Sequence, residues 1–360
     1  MADDHIDVSV VSSGHDVADA RLHRIVEALT RTGLQVEIFG IGDAAWGPAG
    51  VRAHTRSRRS LPGRSVDALT APWRAKGRVV FIVDPDLIPT AMVRRLTGHR
   101  VVVDVHEDYG RLAADRSWSR GALRPLVRFG ADSVNGWAAR ADLVVVADDH
   151  LPPVTARERM VVRNLPDFGH LPEPSARDEV PRALYVGDVR TSRGLFTMLD
   201  VIEAAPPWQL DIVGPLTASD RDEAERRLAS HGLDQRVRMH GRMPPARAWQ
   251  VARGAWLGLS MLEATPAFVE AIPTKVYEYM ACGLPVLGTD LPRQRDLLAE
   301  TGAGVVVDDV VEATALLSTW VNDVSGLDAM RDAAIAWSEK TRQGASEYDA
   351  LAARIKEMAG

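Results

Sequence analysis

Short apolar runs alternating with helix-length amphipathic stretches constrain the fold of this chain more than any other feature. Residues 6–13 (Ile-Asp-Val-Ser-Val-Val-Ser-Ser) read as a buried strand, a turn at Gly14-His15 feeds a helix ending near Thr32, and residues 35–39 read as the second strand. The unit recurs, with strands expected near 79–83, 100–104 and 142–147 between helices near 87–97 and 121–140. A polar, proline-rich stretch, Leu165-Pro-Asp-Phe-Gly-His-Leu-Pro-Glu-Pro-Ser-Ala, interrupts the pattern. Six more strands follow, near 183–187, 209–213, 236–239, 256–260, 285–288 and 303–306. Strands that are apolar throughout need cover on both faces, so the expected architecture is α/β with Rossmann-like, doubly wound parallel sheets. At 360 residues the chain is about twice a usual domain, which gives an N-terminal domain at 1–165 and a C-terminal domain at 166–340. Ligands of such sheets sit at the carboxyl ends of the strands, so two domains facing each other across a cleft would place a site there. The last helical stretch, 326–358, has no strand after it, and its end at 341–360 is expected to cross back to the first domain.

Charge and cysteine usage narrow the function classes. A net charge of -6 argues against a nucleic-acid binder, and a single cysteine, Cys282, excludes an internal disulfide and a cysteine metal cluster. No apolar run approaches the roughly 18 residues of a membrane span, and the first residues lack the basic-then-apolar form of a signal peptide, so a cytoplasmic protein is expected. Charge is uneven, however: residues 51–140 hold 17 Arg and Lys against 8 Asp and Glu, a net of +9. Arg52, Arg56, Arg58, Arg59 and Arg64 are expected in a loop, and Arg120, Arg124 and Arg128 repeat at helical spacing. This edge could rest on the anionic inner face of a membrane, hold an anionic acceptor, or be a solvated face.

One stretch of the second series concentrates polar chemistry: Glu270-Ala-Ile-Pro273-Thr274-Lys275-Val-Tyr-Glu278-Tyr-Met-Ala-Cys-Gly283-Leu-Pro285-Val. Pro273 and Thr274 start a helix, Gly283 stands where a left-handed cap is wanted, and Pro285 stops continuation. The free N–H groups and positive dipole end beside Thr274 suit a phosphate. Lys275 adds a full charge there, and it is one of 4 lysines against 39 arginines, so the compact ammonium stands out from the usual cation of this chain. Two acids, Glu270 and Glu278, flank it. The other reading is a Lys275–Glu278 surface pair on an ordinary helix.

The E-x7-E spacing followed by Met-Ala-x-Gly-x-Pro-Val resembles the donor-sugar motif of retaining glycosyltransferases of the GT-B fold, family 4. The resemblance implies that Glu278 holds the ribose and Glu270 the transferred sugar. Asp19-Ala-Arg21, after the Ser12-Ser13-Gly14-His15 turn, is similar to the Asp-x-Arg of those enzymes on the acceptor side; a local helix-start salt bridge is the plainer reading. Asp104-Val-His106-Glu107 at the end of a strand resembles the Asp-x-His-Glu of one branch, in which His106 would bond the donor sugar near the reacting carbon, with Glu107 on the acceptor side. Charges at a strand end are expected to point into the cleft and not the core.

Tyr185-Val-Gly187-Asp188-Val-Arg190-Thr-Ser-Arg193-Gly194 is similar to the family's Gly-Arg-x-x-x-x-Lys-Gly, whose cations clamp the donor diphosphate. Here Asp188 takes the first cationic position and Arg193 the second, so Arg190 either supplies the missing charge or the clamp rests on Arg193, Lys275 and the helix start. Arg163-Asn164-Leu-Pro resembles the interdomain junction, with Asn164 a hinge. Asp84-Pro-Asp86 imitates the metal-binding Asp-x-Asp of another glycosyltransferase fold, but its two prolines read as a helix-start turn, and no metal is expected.

The resemblance thus implies a metal-independent retaining hexosyltransferase of bacterial polysaccharide or natural-product biosynthesis. It would move a sugar from a nucleotide-diphosphate donor, guessed as a UDP-sugar, to a small-molecule, glycan or lipid-linked acceptor by front-face attack. No other cofactor is expected. A sugar-nucleotide epimerase of the same fold and a non-catalytic nucleotide-sugar-binding partner stay open as alternatives, the latter because of Asp188.

Overall fold

The computed structural model describes residues 5–57, 61–106, 108, 124–166, 168–230, 232–266, 268–344 and 346–360. They form two compact units, Met1–Asn164 with Ala345–Gly360, and Leu165–Gly344. The sequence boundaries of 165/166 and 340/341 therefore shift by one and four residues.

In unit 1 the order is β1 (Val8–Asp16), α1 (Ala20–Arg31), β2 (Val36–Ile41), β3 (Arg52–Arg56), α2 (Leu61–Arg74), β4 (Val79–Ile82), α3 (Ile88–Arg95), β5 (Arg100–Val105), α4 (Arg124–Ala138), β6 (Leu143–Val146) and β7 (Arg159–Val161). Among the described residues these strands make a parallel sheet in the order β3-β2-β1-β4-β5-β6-β7. The central strands are apolar on both faces and wholly buried, as the sheet's helical cover requires.

Unit 2 follows with β8 (Arg182–Val186), α5 (Leu195–Ala204), β9 (Gln209–Val213), α6 (Arg221–Ala229), β10 (Val237–Gly241), α7 (Pro245–Gln250), β11 (Leu257–Ser260), α8 (Thr274–Ala281), β12 (Val286–Thr289), α9 (Pro292–Thr301), β13 (Gly304–Val307), α10 (Val310–Asn322) and α11 (Ser325–Gln343). Its parallel sheet runs β10-β9-β8-β11-β12-β13. The chain then returns to unit 1 as α12 (Glu347–Ala359). Leu351, Ala352, Ile355 and Met358 of this helix pack into the same core as Leu22, Ile25 and Leu29 of α1. Where the sequence shows one helical stretch over 326–358, the structure has two helices; Gly344 closes the first and the Ser346 side chain caps the second by accepting from Asp349 N.

In each sheet the connection reverses direction between the first strand and the fourth, at β1/β4 and at β8/β11. The crevice at such a switch point is where an open parallel sheet receives its ligand.

Several local expectations are corrected. β1 does not turn at Gly14-His15 but runs on to Asp16, which pairs with Ile41 after a register shift. Arg52 and Arg56 lie in edge strand β3 and Arg64 in α2, so they form no loop, and Arg56 is neutralised by Asp67 at 2.7 Å. Strand β3 was not legible because Arg-Ala-His-Thr-Arg has no alternation of apolar residues. Arg58, Arg59 and Arg120 lie outside the described residues.

Candidate active site

Helix α8 is seated by its second tyrosine. Tyr279 is fully buried with its ring over Gly258 of β11, where an added Cβ would come within 2.3 Å of the ring, and its hydroxyl accepts from Val186 N at 3.0 Å. At the far end Gly283 takes the left-handed conformation, φ 69°, and Leu284 N reaches back to Tyr279 O at 2.9 Å, closing the helix as the sequence anticipates. At the near end Pro273 occupies the cap position with no side-chain cap, leaving the first N–H groups of the helix available to a ligand.

Lys275 is 5% exposed, and its Nζ finds no hydrogen-bond acceptor among the described residues. Instead it sits over the Tyr185 ring, 3.6 Å from the centroid. Gly187, φ 139°, makes room beside it: a Cβ there would stand 3.3 Å from Nζ in a backbone conformation that only glycine adopts readily. Tyr185 holds the same turn, since its hydroxyl donates to Asp188 O at 2.6 Å. Burial pushes the Lys275 pKa well below the ordinary lysine range, and the Arg193 charge pushes it further; Glu278 and Asp188 oppose both.

Two arginines complete the cradle. Asp188 is exposed, whereas Arg190 and Arg193 are half-buried with both guanidinium groups over one ring, Phe268, at 5.9 and 5.5 Å from its centroid. The Nε atoms of both are buried and without hydrogen-bond partners. Gly194, φ 83°, lets this turn press against the residue that follows β11, for a Cβ there would lie 1.9 Å from Met261 O. Unit 2 thus gathers Gly187, Arg190, Arg193, Thr274, Lys275 and Glu278 at its switch point. Glu270 is half-buried in the turn just before α8. Sequence reasoning missed Tyr185 and Phe268, because an aromatic in a strand or a loop carries no ligand signal until its ring is seen beneath a cation.

Unit 1 has a polar cluster at its own switch point. Asp84, after β4, accepts from Ser12 Oγ (2.5 Å), Ser13 N (2.8 Å) and Gly14 N (3.0 Å), while Asp86 accepts from Ser13 Oγ at 2.7 Å. These carboxylates thus organise the end of β1. His15 Nδ1 lies 3.1 Å from Asp84 Oδ1, and its ring meets that of His106 edge-to-face at 4.8 Å between centroids. Burial alone would lower the His15 pKa, but the Asp84 carboxylate outweighs it and, with Asp19 and Asp104, raises the value above the ordinary histidine range. The structure therefore brings together two histidines 91 positions apart in sequence.

Arg21 and Asp104 occupy positions unlike those expected. Arg21 is 6% exposed and donates from Nε and Nη2 to the two oxygens of Asp104 at 2.8 and 2.6 Å. It also donates to Val162 O and to Asn164 Oδ1, each at 2.8 Å. Asp104 is wholly buried, so the strand-end charge points into its own unit and needs this counter-charge. Burial would raise the Asp104 pKa, yet the Arg21 charge and hydrogen bonds hold it below the usual carboxylate range. Asp19 caps α1 by accepting from Arg21 N and Leu22 N, and among the described residues no salt bridge to it is seen. His106 Nδ1 lies 3.8 Å from Asp104, beyond hydrogen-bond reach. Glu107 lies outside the described residues.

Comparison with known proteins adds one family match, two sequence relatives and two similar structures. Residues 170–336 match the family model for glycosyl transferases group 1. By sequence the chain is 26% identical over 304 residues to a GDP-mannose-dependent alpha-mannosyltransferase of Mycolicibacterium smegmatis, covering 79% of each protein. It is 25% identical over 268 residues to a GDP-mannose:cellobiosyl-diphosphopolyprenol alpha-mannosyltransferase of Xanthomonas campestris, covering 69% of this chain and 65% of that one. By structure it is similar to a sucrose-phosphate synthase from Thermosynechococcus elongatus, at a TM-score of 0.72 with 16% identity over 98% of both chains. The Anabaena HepE protein in complex with UDP-glucose gives 0.70 with 13% identity, over 98% of this chain and 99% of that one. With two parallel-sheet units of this topology and a glycosyl transferases group 1 match over most of the second, these findings support a glycosyltransferase of the GT-B fold that uses a nucleotide sugar.

Proposed function

We propose that this chain is a retaining glycosyltransferase whose donor diphosphate sits against Arg190, Arg193, Lys275 and the first turn of α8. The observation that carries this is the set of three cations left without hydrogen-bond partners at one switch point: Lys275 Nζ and the Nε atoms of Arg190 and Arg193. Buried polar groups are normally satisfied, and a diphosphate would satisfy all three. As the glycosidic bond breaks, charge builds on the leaving phosphate, and these fixed cations with the helix dipole stabilise it. Glu278 would read the ribose and Glu270 the transferred sugar. Arg21 and Asp19 act by positioning the end of β5 and the start of α1. The departing phosphate itself takes the acceptor proton, and cations fill the place a divalent ion has in other transferases, Asp84 and Asp86 being spent on β1.

GDP-mannose, which both relatives carry in their names, is the donor this reading favours over the UDP-sugar guessed from the sequence, and a polyprenyl-diphosphate-linked glycan, as in the name of the Xanthomonas relative, the acceptor. A calorimetric screen of GDP-mannose, UDP-glucose and UDP-galactose, followed by slow hydrolysis of the labelled winner in chelator, tests the reading. Release of the free sugar supports a transferase, an epimerised sugar supports the alternative enzyme, and tight binding without turnover supports the non-catalytic partner.

Arg190 stands in for the cation that Asp188 displaces. Arg190→Ala is expected to weaken nucleoside diphosphate binding by about tenfold, the scale of one charge-assisted hydrogen bond. Phe268→Ala should do half as much on a logarithmic scale, by releasing both guanidinium groups from their shared platform. Equal affinities in wild type and Arg190→Ala by calorimetry would leave the clamp to Arg193 and Lys275.

Binding should also move a proton. In the empty site burial favours the neutral amine of Lys275; a diphosphate alongside favours the ammonium, so its pKa rises on binding. Wherever the pH lies between the lowered and the restored value, GDP binding is expected to take up protons, read by calorimetry over a pH series in buffers of different ionisation enthalpy. Identical linkage in wild type and Lys275→Met would trace the proton to another group.

A further inference from the structure

One acid stands among the cations of the cradle in unit 2. Asp188 follows Gly187 directly, two positions before Arg190 and five before Arg193, and its side chain is exposed. Its backbone is held on both sides: Gly187 N donates to Val213 O at 2.9 Å, Asp188 O accepts from the Tyr185 hydroxyl at 2.6 Å, and Val189 N donates to Pro215 O at 3.0 Å. The carboxylate itself makes no hydrogen bond or ion pair among the described residues. Nor does it cap the turn that follows, since Thr191 N donates to Asp220 at 2.8 Å instead. A charge that neither packs, pairs nor caps, held on a fixed backbone beside three cations, has no structural duty there.

Its effect is on the field. Asp188 favours the ammonium form of Lys275 and the neutral form of Tyr185, so its charge is felt at the hole between the three cations. A nucleotide sugar and a free nucleoside diphosphate respond differently to that charge. In the nucleotide sugar both phosphates are esterified on two sides and each carries one negative charge. When the sugar–oxygen bond breaks, the oxygen keeps the electron pair, and the proton it takes from the acceptor is lost again to water. The terminal phosphate then has a second ionisation near about pH 6, so at neutral pH the product is more negative than the donor by nearly one charge. Three cations without an acceptor would hold that product more tightly than the donor, and a neighbouring carboxylate takes back part of the difference.

We propose that Asp188 sets how the cradle divides its affinity between donor and product, repelling the more highly charged nucleoside diphosphate so that it leaves. The proposal rests on the cradle being the diphosphate site, and it gives the acid a role that a cation at the same position could not have. GDP with GDP-mannose, and UDP with UDP-glucose, are titrated calorimetrically into wild type, Asp188→Asn, Asp188→Arg and Asp188→Glu. For the pair that binds, Asp188→Asn is expected to tighten the nucleoside diphosphate about fivefold and the nucleotide sugar about twofold, with the thermal midpoint unchanged. Asp188→Arg should tighten the diphosphate by more than about tenfold, and Asp188→Glu should stay near wild type. The gain should shrink as salt rises from about 0.05 to about 0.5 M, as a field effect does and a steric one does not. In donor hydrolysis the free diphosphate should inhibit Asp188→Asn at about fivefold lower concentration than wild type. Unchanged or weaker diphosphate binding in Asp188→Asn overturns the proposal, as do equal gains for both ligands or a gain indifferent to salt. Wild-type protein that binds none of the four overturns the diphosphate cradle itself, and this role of Asp188 with it.

Discussion

Lys275→Met is expected to raise the thermal midpoint of the protein while lowering turnover by about 100-fold or more, the cost of removing one donor aimed at developing charge. The two effects have one cause. The amine is buried without a hydrogen-bond acceptor, and its contact with the Tyr185 face offsets only part of the lost hydration. Methionine fills a similar volume without a polar head, so stability should rise by about 1–2 kcal/mol. A buried amine without an acceptor, close to two arginine Nε atoms that also lack one, is the pattern expected of a functional site. Calorimetric melting and donor hydrolysis measured on the same preparation decide the matter. Lower stability with intact turnover would falsify the assignment and make Lys275 a structural cation.

The second large effect lies in unit 1. Arg21→Met should destabilise by about 3–5 kcal/mol, because it leaves the wholly buried Asp104 carboxylate without its counter-charge. Two carbonyl acceptors, on Val162 and Asn164, lose their donor as well. Replacing both partners, as Arg21→Met/Asp104→Leu, should restore more than half of the loss, since an apolar pair carries no desolvation penalty.

The pH dependence separates the two variants. In the wild type the Asp104 pKa is depressed, so its contribution is fully present above the unfolded value of about 4 and is lost as pH falls through the lower folded value. In Arg21→Met burial instead raises that pKa, and the folded variant binds a proton that the unfolded chain does not. The stability gap between wild type and Arg21→Met should therefore be widest near neutrality and narrow towards about pH 4. Chemical denaturation across that range measures it; a gap that stays constant would assign the loss to packing alone.

Much of the local structure around the proposed donor cradle was legible in the sequence. Pro273, Thr274, Gly283 and Pro285 dictate where α8 starts and stops through φ restriction and missing donors, and Lys275 and Glu278 then share a helical face. What could not be read was whether Lys275 faces water or protein. A lysine at the second position of a helix is usually solvated, and only the seating of Tyr279 over Gly258 rotates it onto Tyr185. Helix α2 was missed for the opposite reason, its large residues pointing away from the sheet.

By itself, then, the sequence determined the alternation of strand and helix, hence two doubly wound parallel sheets, and the identity of the loops at their carboxyl ends. Periodicity is local, and each apolar run specifies its own burial. The tertiary structure alone decided which distant polar groups pair: Arg21 with Asp104, an ion pair 83 positions apart, and Ser12 with Asp84, a hydrogen bond 72 apart. It also decided which cations were left without an acceptor, Lys275 Nζ and the Nε atoms of Arg190 and Arg193. Strand order sets those pairings, and strand order follows from packing helices on both faces of each sheet, which no local stretch of residues encodes.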